Sequence, residues 1–361
     1  FLPKAGLNNV QPIVTQFESN EEMQSFLIEK MAEGVSPDVV FTNADWIFLN
    51  RKKIIALKGD PLFTLAAFDS AYVKSATEPL VSDDALLGIP LSVETLALIY
   101  NQELLIDGLI DRNVPGKTWE EIKSDVTKLT KSDNSFSRIG QSGIALGDID
   151  SVKYGIDILK NLLIQNKLQF FSENQRTAQF SRQSFVSESG QRQNLVSQVF
   201  SFFNSFADTR FKQFSWSKQL IADEKEKNFL PFVKGKVAMI FGYPTDVAYL
   251  QDLVAQTNNS ISSKDVSTAL FPQQSNQSKD LLAKVSAFAV PKTARNAEAS
   301  WKFLKYVSKK EIHQKFFEAT QIPSARLDLL VEHGSTPLID VFVRQAKFAR
   351  TLVFPKPAKY T

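Results

Sequence analysis

Apolar runs too short to be helices recur along this chain with helical patterns between them, and that alternation restricts the fold to layered α/β or mixed α+β architectures. Val10–Phe17, Val39-Val40-Phe41, Gly88-Ile89-Pro90-Leu91, Thr95–Tyr100, Lys236–Gly242, Val266–Phe271 and Lys284–Val290 read as strands. The first helix is predicted from Asn20 as its N-cap, with Met23, Phe26, Leu27 and Met31 on one face and Gly34 as its stop. A second, Lys117–Leu129, carries the Thr118/Glu121 spacing of a capping box, with Trp119 assigned to packing. Helical spacing continues over Lys153–Gln165 and over Asn194–Ala207, where Val199, Phe202, Phe203 and Phe206 form a core stripe. Between these two, the polar stretch Ser172–Arg192 reads as a surface excursion, and later Asn296 caps a helix reaching Val307. With 361 residues, the chain exceeds what one hydrophobic core usually supports, so two lobes or one large α/β domain are expected.

The sequence is poor in reactive constellations. Cysteine is absent, which removes disulfides, thiolate metal ligands and thiol nucleophiles. The two histidines, His313 and His333, stand in unlike contexts and form no zinc-binding pair, so no metal and no cofactor is expected. Gly140-Gln141-Ser142-Gly143 is one residue short of a nucleophile elbow, and no glycine-rich loop leads into a phosphate-binding helix. Asp148 and Asp150 resemble the opening of a calcium loop, but Lys153 stands where that loop requires glycine, and both acids read as solvated loop carboxylates. Lysine and arginine total 42 against 39 acids and are scattered, which argues against nucleic acid or an anionic bilayer as partner. No apolar run of about 18 residues is present to span a membrane, and the first residues have no signal-peptide pattern.

Four ordered segments carry a family resemblance. Gly88-Ile89-Pro90-Leu91-Ser92-Val93-Glu94-Thr95-Leu96-Ala97-Leu98-Ile99-Tyr100-Asn101, followed by Lys117-Thr118-Trp119-Glu120-Glu121-Ile122, closely resembles the first crossover segment of the maltose-binding-protein-like proteins, extracellular solute-binding protein family 1. Gly34-Val35-Ser36-Pro37-Asp38-Val39-Val40, Phe232-Val233-Lys234-Gly235-Lys236-Val237-Ala238-Met239 and Ser286-Ala287-Phe288-Ala289-Val290-Pro291-Lys292 agree with the same family in the same order. The resemblance implies a two-lobed periplasmic-binding-protein fold of type II, the Venus-flytrap arrangement, hinged at crossover strands with the ligand in the cleft between the lobes. It places residues 1–94 and 286–320 in an N-terminal lobe and 95–285 and 321–361 in a C-terminal lobe. Relatives also begin with a further strand and helix and end with helices beyond the segment that Phe354-Pro355 resembles; both are expected to be absent here.

The function implied is that of the substrate-binding component of an ABC importer, which captures a carbohydrate and delivers it to permease subunits without chemical change. The protein is expected to be a monomer outside the cytoplasmic membrane, periplasmic or lipid-anchored. By the same resemblance, Glu94 is a ligand carboxylate, Asp45 and Trp46 are cleft residues, and Tyr243 stacks on sugar; Trp216 is a further candidate for the cleft. Each has a structural alternative: a backbone-bonded acid for Glu94, a helix cap for Asp45, core packing for Trp46 and Tyr243, and a loop anchor for Trp216. The chain departs from the family after the Gly242-Tyr243 step, where Thr245 and Asp246 stand in place of a common tryptophan. That leaves a peptide, a polyol or another polar solute open, along with a glycan-processing enzyme and an adhesive surface protein.

Overall fold

The computed structural model describes residues 6–352 apart from 9, 61–62, 133–138, 169, 171–183, 187–191 and 259. They divide into two compact units, one of residues 1–94, 283–335 and 346–361, the other of 95–282 and 336–345. The chain passes from one to the other after Glu94, Leu282, Ser335 and Gln345. Phe354-Pro355 lies outside the described residues.

In the first unit a three-stranded sheet has the order Val40–Asn43, Ala283–Ala289, Gly88–Thr95. Val40–Asn43 runs antiparallel to the central strand, with Val40 opposite Ala289 and Asn43 opposite Ser286. Gly88 is required by close approach, because a Cβ there would stand 2.2 Å from the carbonyl oxygen of Phe288. The free flank of Gly88–Thr95 is taken by a later segment: Val93 donates to the Pro323 carbonyl at 3.0 Å and Ala325 to that of Leu91 at 3.1 Å. Ala283 donates to Arg350 at 3.0 Å. Residues 321–335 and the described residues after 345 therefore pack with the first unit, where sequence had assigned 321–361 to the second, because backbone pairing along the strand edge overrides chain order.

The first helix, Asn20–Glu33, buries Leu27 and Met31 and ends at Gly34, whose φ of 77° permits the left-handed turn. Its N-cap is Ser19, not Asn20: the Ser19 hydroxyl accepts from the Glu22 amide. Val10–Phe17 is not a strand. It has no ladder partner among the described residues, and Ile13 and Val14 are 94% and 80% exposed; apolar content predicts a strand only where a neighbouring backbone completes it. The helix Ala297–Val307 is capped by the Asn296 side chain as expected and buries Trp301 and Leu304.

The second unit is built on Ala97–Asn101, fully buried between Met239–Gly242 and Val266–Ala269, both antiparallel to it. The capping box of Trp119–Leu129 is formed, with Glu121 accepting from Thr118 and Lys117. Trp119 is core: its indole donates to Gln165 at 2.7 Å and its ring meets Phe202 and Phe271 edge-on. Gln345 ties the returning segment to this sheet, donating to Thr95 and to the Leu96 carbonyl and accepting from Phe271 at 2.6 Å. The helix Gly155–Gln165 starts two residues later than predicted because Tyr154 has a φ of 64°, outside the right-handed helical region. Asn194 caps the helix Leu195–Asn204, which is shorter than expected and buries Val199 and Phe203, with Phe206 buried just beyond it. Most of Ser172–Arg192 lies outside the described residues; within it Ser184–Val186 pairs antiparallel with Arg192–Asn194.

Both histidines are structural groups of the first unit. His313, in the helix Lys310–Thr320, places Nδ1 2.8 Å from the Ser324 hydroxyl, and Ser324 donates its amide to Nδ1 of His333 at 3.4 Å. His333 stacks on Phe317 at 3.5 Å. Burial holds His313 down to about 3 from 6.5, with Arg326 adding to the effect, and burial holds His333 down to about 4. Both native values lie below that of the unfolded chain, so the stability these groups confer is complete above pH 6.5 and is lost as pH falls toward 4 and below, where the unfolded chain takes up protons that the native state excludes. Urea melts at pH 7.5, 6.0 and 4.8 should show a falling midpoint, and His333→Gln should flatten that fall. A midpoint constant across this range would contradict the assignment, since ordinary carboxylates titrate below it.

Candidate functional site

In the second unit, residues 148–157 gather the polar and aromatic groups. Asp148 accepts from the Asp150 amide at 3.0 Å and from the Ser151 hydroxyl at 2.8 Å, and Lys218 lies 3.3 Å away. Burial alone would raise its pKa, but the bonds from Ser151 and Asp150 and the charge of Lys218 outweigh that and hold it below the usual carboxylate value. Asp148 is thus a partly buried, bonded anchor rather than a solvated loop acid; Asp150 is exposed as expected.

Ser151 passes this order to Trp216, whose indole donates to the Ser151 oxygen at 2.9 Å. The loop carrying Trp216 is pinned by its neighbours. The Ser215 and Trp216 amides both donate to the Phe206 carbonyl, and the Ser215 hydroxyl accepts from the amides of Gly143 and Ile144 at 2.8 and 3.1 Å. Trp216, 1% exposed, is one of the residues lining a pocket of about 430 Å³, with Asp148, Thr209, Phe214, Lys218 and Gln219. The lining thus combines two buried aromatic residues, Phe214 and Trp216, with a carboxylate, an amide and a hydroxyl.

Tyr243 follows the strand Met239–Gly242 and opens the helix Pro244–Gln256, where Pro244 stands at the first helical position. It is 6% exposed, and its hydroxyl donates to Asp157 at 3.1 Å. Its ring meets that of Tyr154 edge-on at 4.9 Å. Asp246 accepts from the Tyr243 amide at 2.7 Å and from the Tyr154 hydroxyl at 3.0 Å, and Lys153 is 3.6 Å from the same carboxylate. The Lys153 ammonium lies 4.0 Å from the Phe229 ring centre, 5.2 Å from Tyr249 and 5.6 Å from Tyr154.

The other three candidates lie in the first unit. Asp45, in the first turn of Ala44–Leu49, accepts from the Trp46 amide at 2.8 Å, the local bonding of a helix-start acid. Trp46 is buried at 2% exposure. Glu94 is the penultimate residue of the strand Gly88–Thr95 and stays half-buried between buried Val93 and Thr95. Trp216 and Tyr243 are both linked to residues 148–157, through Ser151 and through Tyr154 and Asp157. Sequence reasoning missed Lys153, Tyr154 and Asp157 as members of this group. The only local signal is an aromatic residue before Gly155 at a helix start; the positive φ that turns Tyr154 toward Asp246 has no sequence signature.

The family comparison decides what kind of protein carries this site. Residues 5–335 match the model described as bacterial extracellular solute-binding protein. The chain belongs to that family. Solved structures agree in fold. A cyclo/maltodextrin-binding protein complexed with maltotetraose is 16% identical with a TM-score of 0.70, over 98% of this chain and 81% of that one. The GacH receptor of Streptomyces glaucescens, described unliganded and with acarbose, is 18% identical with a TM-score of 0.69, over 98% and 82%. The sugar-binding protein MalE of Xanthomonas citri is 15% identical with a TM-score of 0.72, over 97% and 81%. At these identities the likeness shows the fold, the two-lobed type II binding-protein fold expected from sequence. A search of curated proteins finds no match. In this solute-binding protein no helix among the described residues is long and apolar enough to cross a membrane.

Ser151→Ala leaves the buried Trp216 indole without its acceptor, which costs about 1–3 kcal/mol. Urea denaturation should show a loss in that range, with a shift in tryptophan emission; an unchanged midpoint would mean that Ser151 does not anchor the ring.

Proposed function

We propose that this solute-binding protein captures a carbohydrate and hands it unchanged to the permease subunits of an ABC importer, acting as a monomer on the outer side of the cytoplasmic membrane, free or lipid-anchored. The observation that carries the carbohydrate reading is the pocket whose lining combines Phe214 and Trp216 with Asp148, Thr209, Lys218 and Gln219. Sugar recognition needs both kinds of surface: apolar faces for ring C–H groups, and carboxylates, amides and hydroxyls for the hydroxyl edges. Structural neighbours named with maltotetraose and acarbose support the same ligand class. In this reading Trp216 and Tyr243 contribute aromatic surface, and Glu94 contributes a ligand carboxylate from the first unit. Asp45 and Trp46, just after the Val40–Asn43 strand, are further ligand-binding candidates of the first unit.

A second reading rests on Asp246, buried where relatives commonly place a tryptophan. One aromatic wall fewer suits a polyol or a short peptide as well as a sugar ring.

Ligand binding to the native state raises the melting temperature by mass action, by about 2.7 kcal/mol of stabilisation at a hundredfold excess over Kd. A thermal-shift screen of mono- and oligosaccharides, polyols, peptides and amino acids should single out a carbohydrate. Calorimetry on Tyr243→Ala and Glu94→Ala should then show affinity about tenfold weaker or more, that is, about 1.4 kcal/mol. Stabilisation by a peptide or polyol alone would replace the carbohydrate reading, and undiminished affinity in either variant would remove that residue from the site.

A further inference from the structure

Asp246, which is buried, and Lys153, which is half-buried, form an ion pair beside three aromatic rings. Asp246 is 4% exposed and accepts hydrogen bonds from the Tyr243 amide and the Tyr154 hydroxyl, with the Lys153 ammonium 3.6 Å from the same carboxylate. Lys153 in turn lies against the rings of Phe229, Tyr249 and Tyr154, and its backbone amide donates to the buried side chain of Asn228 at 2.7 Å. Between these two residues stands Tyr154, in the left-handed region at a φ of 64°, a conformation that costs a bulky residue energy unless its surroundings enforce it.

Stability does not account for this arrangement. With its carboxylate buried and its lysine half-buried, the pair is a weak stabiliser, because desolvation of Asp246 offsets much of the attraction. What the pair does supply is direction. Its bonds fix where the Tyr154 ring points, and the amide bond to Tyr243 fixes the start of the next helix, so the two rings meet edge-on. Charge-assisted bonds donated to a buried carboxylate hold such an orientation more tightly than packing alone.

We infer that Asp246 and Lys153 are positioning residues that lock the rings of Tyr154 and Tyr243 in the orientation that receives the ligand. The inference rests on the carbohydrate reading above and adds to it the residues that preset the aromatic surface. Affinity is gained when a binding surface is already ordered before the ligand arrives, so releasing the lock lowers affinity without removing any contact group.

The test uses the whole chain with D246N, K153M and K153R, each checked for folding by far-ultraviolet circular dichroism. Two readouts are taken. In ligand-free protein labelled with ¹³C-tyrosine, with Tyr154→Phe and Tyr243→Phe for assignment, the two ring signals should move toward averaged positions in D246N and K153M and stay near their native positions in K153R. In calorimetry with maltotetraose as probe, D246N and K153M should bind about tenfold more weakly or worse, and K153R should recover most of the affinity lost in K153M. Should D246N not fold, K153M and its rescue decide by the same two readouts. Unmoved tyrosine signals would overturn the lock whatever the ligand. Wild-type binding with undiminished affinity in folded K153M would overturn its part in recognition while leaving the carbohydrate reading intact. Failure of the wild type to bind any carbohydrate would overturn both.

Discussion

Each unit of this protein depends on a backbone ladder whose partners are far apart in the chain. Ala283–Ala289 completes the first sheet between strands that come some 190 to 250 positions earlier, and its pairing draws the later segment back into a unit begun by the first residues. Peptide groups left unpaired in a buried sheet cost free energy comparable to lost hydrogen bonds, so the chain is held to this discontinuous path. The same requirement explains Pro323–Ala325, which covers the flank of Gly88–Thr95, and Gln345, which satisfies backbone groups around Thr95 and Phe271.

The polar and aromatic group of the second unit is organised on a different principle. Residues 148–157 contain a partly buried acid, a serine that bonds a tryptophan, a lysine within aromatic rings and a tyrosine in the left-handed region. None of these groups has the geometry of a nucleophile with its base. They are bonded to one another: Ser151 to Asp148 and Trp216, and Tyr154 to Asp246. Membership in an extracellular solute-binding family agrees with that reading of the side chains.

Much of this architecture was legible in the residues because local signals and tertiary demands coincide. The Thr118/Glu121 capping box, the Gly34 stop and the Asn296 cap formed as spacing predicts, and of the stripe Val199, Phe202, Phe203 and Phe206 all but the half-buried Phe202 are buried, Phe206 just beyond the helix end. Failures came where a second segment decides the outcome. Val10–Phe17 has the composition of a strand but no ladder partner among the described residues, and residues 321–335 follow a strand edge that no local pattern reveals. Among the candidate site residues, Tyr243 and Trp216 were proposed by their types and by resemblance, while their neighbours Lys153, Tyr154 and Asp157 drew no notice because lysine, tyrosine and aspartate at a helix start are ordinary.

The order of strands and helices, the lack of thiol chemistry and the family motifs belong to the sequence itself, because periodicity, capping and residue type act over a few neighbours. Tertiary structure alone decided which distant segments share a unit, that Ser151 holds Trp216, and that Asp246 joins two tyrosines and a lysine. Those facts depend on where a carbonyl, a carboxylate or a ring comes to lie in space, and no run of adjacent residues encodes such a meeting by itself.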